Sequence, residues 1–215
     1  MARKYVMHKR REMVDETRRQ IAKATFELHS TVGPACTTMA MIADKAGLPR
    51  QTVYRNFKSQ LELFRSCIAF GLEKAPIPDP ERWLSIPPGT ERIQFGLSQL
   101  YRWFEVHERV MTNTFRDLGA VPVAKKAMEP IAKAARQMHK VLTEGAVPAP
   151  VPALINLALD FPTWKKLRRE EGMPSGAIVE FWSDLIECQS AATPHGRSMR
   201  RAIPSAGTHG STARS

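Results

Sequence analysis

The chain has 215 residues, 43% of them hydrophobic, enough for one large or two small domains with a real buried core. Its formal net charge of +11 is unevenly placed: residues 1–74 carry +7, 75–190 are neutral and 191–215 carry +4. That asymmetry suggests one end facing a polyanion, the plain alternative being a solubility charge, while three scattered cysteines exclude a disulfide framework.

In chain order, residues 1–12 are basic and aperiodic, and read as a flexible arm that either reaches a minor groove or is simply disordered. From Val14 a helix pattern runs through Ile21, Ala24, Leu28 and Val32 and stops at Gly33-Pro34. Thr38 offers an N-cap to a short helix from Met39 to about Ala46. Gly47 suits the left-handed turn at its end, and Pro49 suits the start of the next helix, which runs to about Phe57. Ser59-Gln60-Leu61-Glu62 has the form of a capping box ahead of a helix with Leu61, Phe64, Ile68 and Leu72 on one side. Residues 13–75 thus form a small basic helical unit.

Five prolines in 76–90 read as a connector. Thr90 is positioned to cap an amphipathic helix through Ile93, Leu97, Leu100 and Phe104, with Val106 to Leu118 continuing it or bending away. Val123 to Leu142 is helical in pattern, with Pro130 either a kink or a first turn. After a break at Gly145 to Pro152, short helical stretches flank Phe161-Pro162, and Ser175 is positioned to cap a last helix with Ile178, Phe181, Trp182, Leu185 and Ile186. Beyond Ala191 no periodicity remains, so 191–215 reads as a disordered tail. No strand pattern competes, and the fold class is all-α, with 76–190 a larger helical domain.

The segment Ala46 to Phe57, AGLPRQTVYRNF, has only Val53 and Phe57 as plainly apolar residues after Pro49, four apart and therefore on one face. The other side presents Arg50, Gln51, Thr52, Tyr54, Arg55 and Asn56, followed by Lys58. Arg pairs with guanine edges, Gln and Asn with adenine, and hydroxyls grip phosphates, as Thr38 could at the preceding helix start. This is the composition of a helix that enters a major groove; the plain alternative is a solvated surface helix.

Gly33, Thr37-Thr38, Ile42-Ala43, Ala46-Gly47-Leu48, Thr52-Val53-Tyr54 and Phe57 fall at the spacing of the TetR-type transcriptional regulators. The chain resembles that family over about residues 15–72. The resemblance implies an all-helical homodimer with a helix-turn-helix DNA-binding head and a C-terminal domain that binds a small-molecule effector. It further implies a dimer interface of the last two helices from each copy, and release of a near-palindromic double-stranded DNA operator when effector binds. Three residues depart from the family pattern: His29 where an aromatic Phe is usual, Pro49 where a Ser or Thr cap is usual, and Gln60 where a phosphate-gripping Lys is common.

Phe95, Trp103, His107, Met111, Phe115, Met138 and Phe181 are candidates to line an effector pocket, each equally well read as plain core. Phe181 and Trp182 offer more apolar surface than one core contact needs, as a dimer interface would. His107-Glu108 opens like a zinc-binding H-E-x-x-H, but Met111 stands where the second His is required, so no metal site is expected. No catalytic constellation or cofactor motif occurs, and a lone acid such as Glu105 is weak ground for an enzyme. A non-specific architectural DNA-binding protein is the alternative, disfavoured by a recognition face that is polar rather than merely basic. The charged start gives no signal-peptide pattern and no stretch is long enough to span a bilayer, so a cytoplasmic protein is expected.

Overall fold

The structure is a computed structural model that describes residues 2–145 and 148–191, with the side chains of 2–6 left out. The tail expected over 191–215 lies, beyond Ala191, outside the described residues. The order is α1 (Ala2–Thr31), α2 (Met39–Ala46), α3 (Arg50–Asn56), α4 (Gln60–Lys74), a 3-10 turn (Pro80–Ser85), α5 (Thr90–Asp117), α6 (Pro122–Ala127), α7 (Glu129–Leu142), α8 (Val151–Ala158), α9 (Phe161–Lys165) and α10 (Ser175–Ala191). No strand occurs among the described residues.

The head forms because a few local signals agree. Thr38 accepts the Met41 N–H at 3.2 Å and starts α2. Gly47, at φ 64°, ends it in the left-handed region, and the N–H of Leu48 reaches the Ala43 carbonyl at 3.0 Å. Pro49 then stands just outside α3 as its N-cap residue, with no side-chain cap. Val53 and Phe57 are buried with Ile21, Ala24, Ile42, Ala43 and Leu63 in one apolar cluster, so the four-residue spacing anchors α3 as read.

Several expectations need correction. Residues 2–12, read as an arm, form the start of α1. Residues 7–16 are exposed on every side, so the helix has no buried stripe there for periodicity to reveal. The capping box at α4 is half formed: Ser59 accepts the Glu62 N–H, but the Glu62 carboxylate takes the Lys58 N–H at 3.0 Å and the Arg18 guanidinium at 2.7 Å. Thr90 is the first residue of α5 rather than its cap; Gly89 holds that place, and the Thr90 hydroxyl donates to Glu187. Ser175 likewise opens α10 with its hydroxyl donating to Glu105 at 2.7 Å.

The proline-rich connector is no loose linker. Its 3-10 turn inserts Trp83 into the body, where it is fully buried against Gly96 of α5. Arg92, 3% exposed, donates to the Ile86 carbonyl at 2.6 Å, the Val141 carbonyl at 3.2 Å and Glu144 at 2.5 Å, strapping connector and α7 to α5. Pro130 lies in the first turn of α7 rather than kinking a longer helix. The body core gathers Trp83, Tyr101, Phe104, Phe161 and Trp164 with aliphatic residues of α7, α8 and α10. Trp182, expected at the surface, is buried in this core; Phe181 beside it is 45% exposed.

Candidate nucleic-acid interface

The outward face of α3 is built by elimination. Once Val53 turns inward, Arg50, Gln51, Tyr54 and Arg55 are exposed, with Thr52 and Asn56 half-buried and Lys58 exposed just beyond. Thr38 is also exposed at the start of α2. Tyr54 and Lys58 line one recess together with Thr37 and Met39, so the α3 face and the α2 start are contiguous. Asn56 differs from its neighbours: its side-chain amide donates to the Thr52 carbonyl at 2.8 Å, which leaves fewer donors for a base edge.

Three cations elsewhere on the head are tied to carboxylates: Arg18 to Glu62 at 2.7 Å, Arg19 to Glu73 at 2.8 Å and Lys45 to Glu27 at 3.3 Å. Among the described ion pairs none includes Arg50, Arg55 or Lys58. The face therefore offers exposed positive charge, with Glu62 close only to Lys58, alongside amide and hydroxyl groups, which suits a polyanion with a readable edge.

Arg18 was not legible as a site residue, yet it sets α3 against α1. Its guanidinium donates to the Asn56 carbonyl and to Glu62, and lies 4.3 Å over the Phe57 ring. Gln20 adds a bond to the Ala46 carbonyl at 2.6 Å. Both reach from α1 to backbone at helix ends, which no local spacing announces.

The body reaches the head through the end of α5. Asp117 Oδ2 accepts the Ala35 N–H at 2.9 Å, Arg116 donates to the Val32 carbonyl at 2.9 Å, and Asn113 donates to the His29 carbonyl at 3.0 Å. Arg116 beside Asp117 holds that carboxyl below the usual range. The loop they grip passes through Gly33 at φ 91°, where a Cβ would collide with both Arg116 and Asp117.

Beneath this junction, α1 and α4 of the head face α5, α6 and α7 around an apolar cavity of about 60 Å³. Of the seven candidate pocket residues, Trp103, His107 and Met111 line it. Met138 is buried in the body core, and Phe115 packs there against Phe161 at 5.5 Å between ring centres. Phe95 and Phe181 are 41% and 45% exposed and face outward. The head supplies His29 and Cys67, whose Nδ1 and Sγ lie 3.6 Å apart. Burial holds the His29 imidazole down to about 4 and pushes the Cys67 thiol up to about 12. His107 donates from Nε2 to the Ala75 carbonyl at 2.9 Å, and burial lowers its pKa as well. Glu105 is exposed, accepts from Ser175 and lies 3.8 Å from Arg168; it is not a cavity acid. Cys36 is exposed beside the head.

Residues 21–67 match the sequence model of the bacterial regulatory proteins, tetR family. Among solved structures the chain is similar to the "putative fatty acid metabolism regulator" of Clostridium perfringens, at 18% identity and a TM-score of 0.57, over 79% of this chain and 97% of that one. It is also similar to a transcriptional regulator (TerR/AcrR family) of Aquifex aeolicus VF5, at 19% identity and a TM-score of 0.49, over 80% and 98% of the two chains. No curated protein matches the chain. The first similarity establishes a shared all-helical fold along nearly the whole of that structure. No helix among the described residues is long and apolar enough to cross a membrane.

Proposed function

We propose that the chain is a DNA-binding transcriptional regulator with a tetR-type head, a homodimeric repressor released from its operator by a small apolar effector. The observation that carries this reading is the direct grip of the α5 end on the head. Asp117, Arg116 and Asn113 hold the α1–α2 segment by three hydrogen bonds, immediately above the cavity. A molecule entering that cavity must press on α1 and α4 from one side and α5 to α7 from the other. Effector binding would thereby shift the head relative to the body, through the differential contacts that coupling between sites requires.

Sequence is read by Arg50 and Gln51 at base edges, with Thr38, Thr52, Tyr54, Arg55 and Lys58 positioning the head on phosphates. Asn56 has a smaller share, because its amide is engaged with Thr52. Two heads are needed, since a seven-residue helix reads only a few base pairs. The dimer forms through α8 and α10, which pack together and carry exposed Leu157 and Phe181.

Duplex binding by single-site variants tests the assignment. Arg50→Ala and Gln51→Ala should each lose about 1–3 kcal/mol of discrimination at one base position. Lys58→Ala should weaken all sequences alike and reduce the salt slope by about one. Unchanged base preference in both α3 variants would remove α3 as the reader.

A further inference from the structure

The first half of α1 has no packing partner among the described residues. The body grips the other end of this helix, where Asn113 donates to the His29 carbonyl and Arg116 to the Val32 carbonyl. The start of α1 therefore points away from the body. Midway, Arg18 donates to the Asn56 carbonyl at the C-terminal end of α3 and lies 4.3 Å over the Phe57 ring. Before that crossing the helix stands clear of the head. Residues 7–16 are all exposed, and Met7 and Val14 remain 67% and 45% open. A helical stretch without tertiary burial is marginal by itself, so a partner from outside the chain would stabilise it.

The charges of this stretch are sorted by side. At about 3.6 residues per turn, Val14, Arg11 and Met7 stand in line with Arg18, and Arg10 stands in line with Ile21 of the head core. Asp15 borders that side, while Glu12 and Glu16 are turned from it. Glu12 faces His8 at 3.2 Å, whereas Arg10 and Arg11 enter no ion pair among the described residues. Residues 1–12 also hold five basic residues against one acidic residue, which is most of the positive excess of 1–74. We infer that this side of α1 is a second DNA-contacting surface, which lays Arg10 and Arg11 on the sugar-phosphate backbone beside the base pairs that α3 reads. The inference rests on α3 being the duplex reader, and it adds a contact that positions the head without reading sequence. Two observations name the occupant. The exposed arginines are complementary to phosphate, and their surface joins the α3 end through Arg18. Arg11 lies about 10 Å along the helix from Arg18, the length of roughly three phosphate steps on one strand. Met7 and Val14 between the arginines suit the apolar faces of the sugars.

The test titrates the full chain with a random-sequence duplex, and with the tightest duplex recovered from a random pool, over a range of salt concentrations. It compares the wild type with the double variant Arg10→Ala/Arg11→Ala and with Lys9→Ala, whose side chain projects from the opposite side of α1 to Arg18. All three positions are exposed and alanine favours helix, so the variants keep the fold. The double variant should bind both duplexes about tenfold more weakly and reduce the salt slope by about two, with base preference unchanged. Lys9→Ala should leave the slope as it is. In a hydroxyl-radical footprint the double variant should lose about three protected sugars per half-site. An unmoved slope or footprint would overturn the proposal and free this surface for a different partner, such as an acidic protein or an anionic membrane. An effect of Lys9→Ala equal to half that of the double variant would also overturn it, because net charge alone would then account for the loss. The two readings fail separately. A duplex pool without any base preference would refute α3 as the reader, while the slope on random duplex still reports the α1 contact. A specific motif with an unmoved slope would uphold α3 and refute α1.

Discussion

Asp117 at the end of α5 accepts the backbone N–H of Ala35, 82 residues earlier, at 2.9 Å. One carboxylate therefore joins the longest helix of the body to the loop that launches α2 of the head. Its second oxygen is held by Arg116 at 2.7 Å, which fixes the carboxylate plane.

Asp117→Ala should leave the Ala35 N–H without its partner and destabilise the chain by about 1–3 kcal/mol in urea unfolding. Asp117→Asn keeps one acceptor and should lose less. Both variants should bind operator in the absence of effector and respond to effector more weakly, because the head is then held by fewer bonds from α5. Full effector response in Asp117→Ala would show that the coupling runs elsewhere.

The fold was largely legible where chemistry is local. Thr38, Gly47 and the Val53–Phe57 pair declare themselves by type and spacing, and the structure places each as read. What escaped was non-local. Asp117 and Arg18 act on backbone groups 82 and 38 residues distant, and no periodicity records such contacts. The start of α1 escaped for the opposite reason: with residues 7–16 exposed all round, a helix and an arm have the same polar sequence. Trp83 was hidden because five neighbouring prolines suggest a linker, whereas the prolines stiffen the approach of a buried anchor. Of the cavity, the α5 residues were visible as an aromatic and Met-bearing stripe. His29 was visible only as a departure from the family's usual Phe, and its unpaired nitrogen needed the packed structure to be seen.

His29 gives the chain an acid-sensitive element. Its folded value of about 4 lies below the ordinary 6.5, so the unfolded chain binds the extra proton first as pH falls. The neutral imidazole's contribution is complete above pH 6.5 and is lost between 6.5 and 4, amounting to roughly 3 kcal/mol at most. Asp117, depressed chiefly by Arg116, adds a loss of the same sign at lower pH. Melting temperature measured from pH 7 to pH 4.5 should fall less steeply in His29→Phe than in the wild type. Parallel curves would place the acid sensitivity on other groups.

Gly96 lies mid-helix, where alanine would normally gain about 1 kcal/mol of helix propensity. Here a Cβ would stand 3.0 Å from two ring atoms of Trp83, which is fully buried and has no free side to retreat to. Overpacking of this kind costs about 1–3 kcal/mol, so Gly96→Ala should be net destabilising in urea unfolding. A stabilised variant would mean that the connector yields and that Trp83 is a looser anchor than its burial indicates.

Phe181, 45% exposed on α10, should matter to assembly and little to folding. Phe181→Asp is expected to raise the dimer dissociation constant by at least about tenfold while leaving the monomer folded. Sedimentation velocity at micromolar protein separates the two species. A dimer unaffected by the charge would move the interface away from α10.

The central claim is that two copies of α3 read a specific duplex. The most direct measurement incubates the purified full chain with random double-stranded DNA at near-physiological salt and sequences what remains bound. The account predicts one near-palindromic motif, with half-sites about one helical turn, roughly 34–36 Å, apart. A bound pool with no enriched motif and a steep salt dependence would contradict it, and would leave a protein that holds DNA by charge alone.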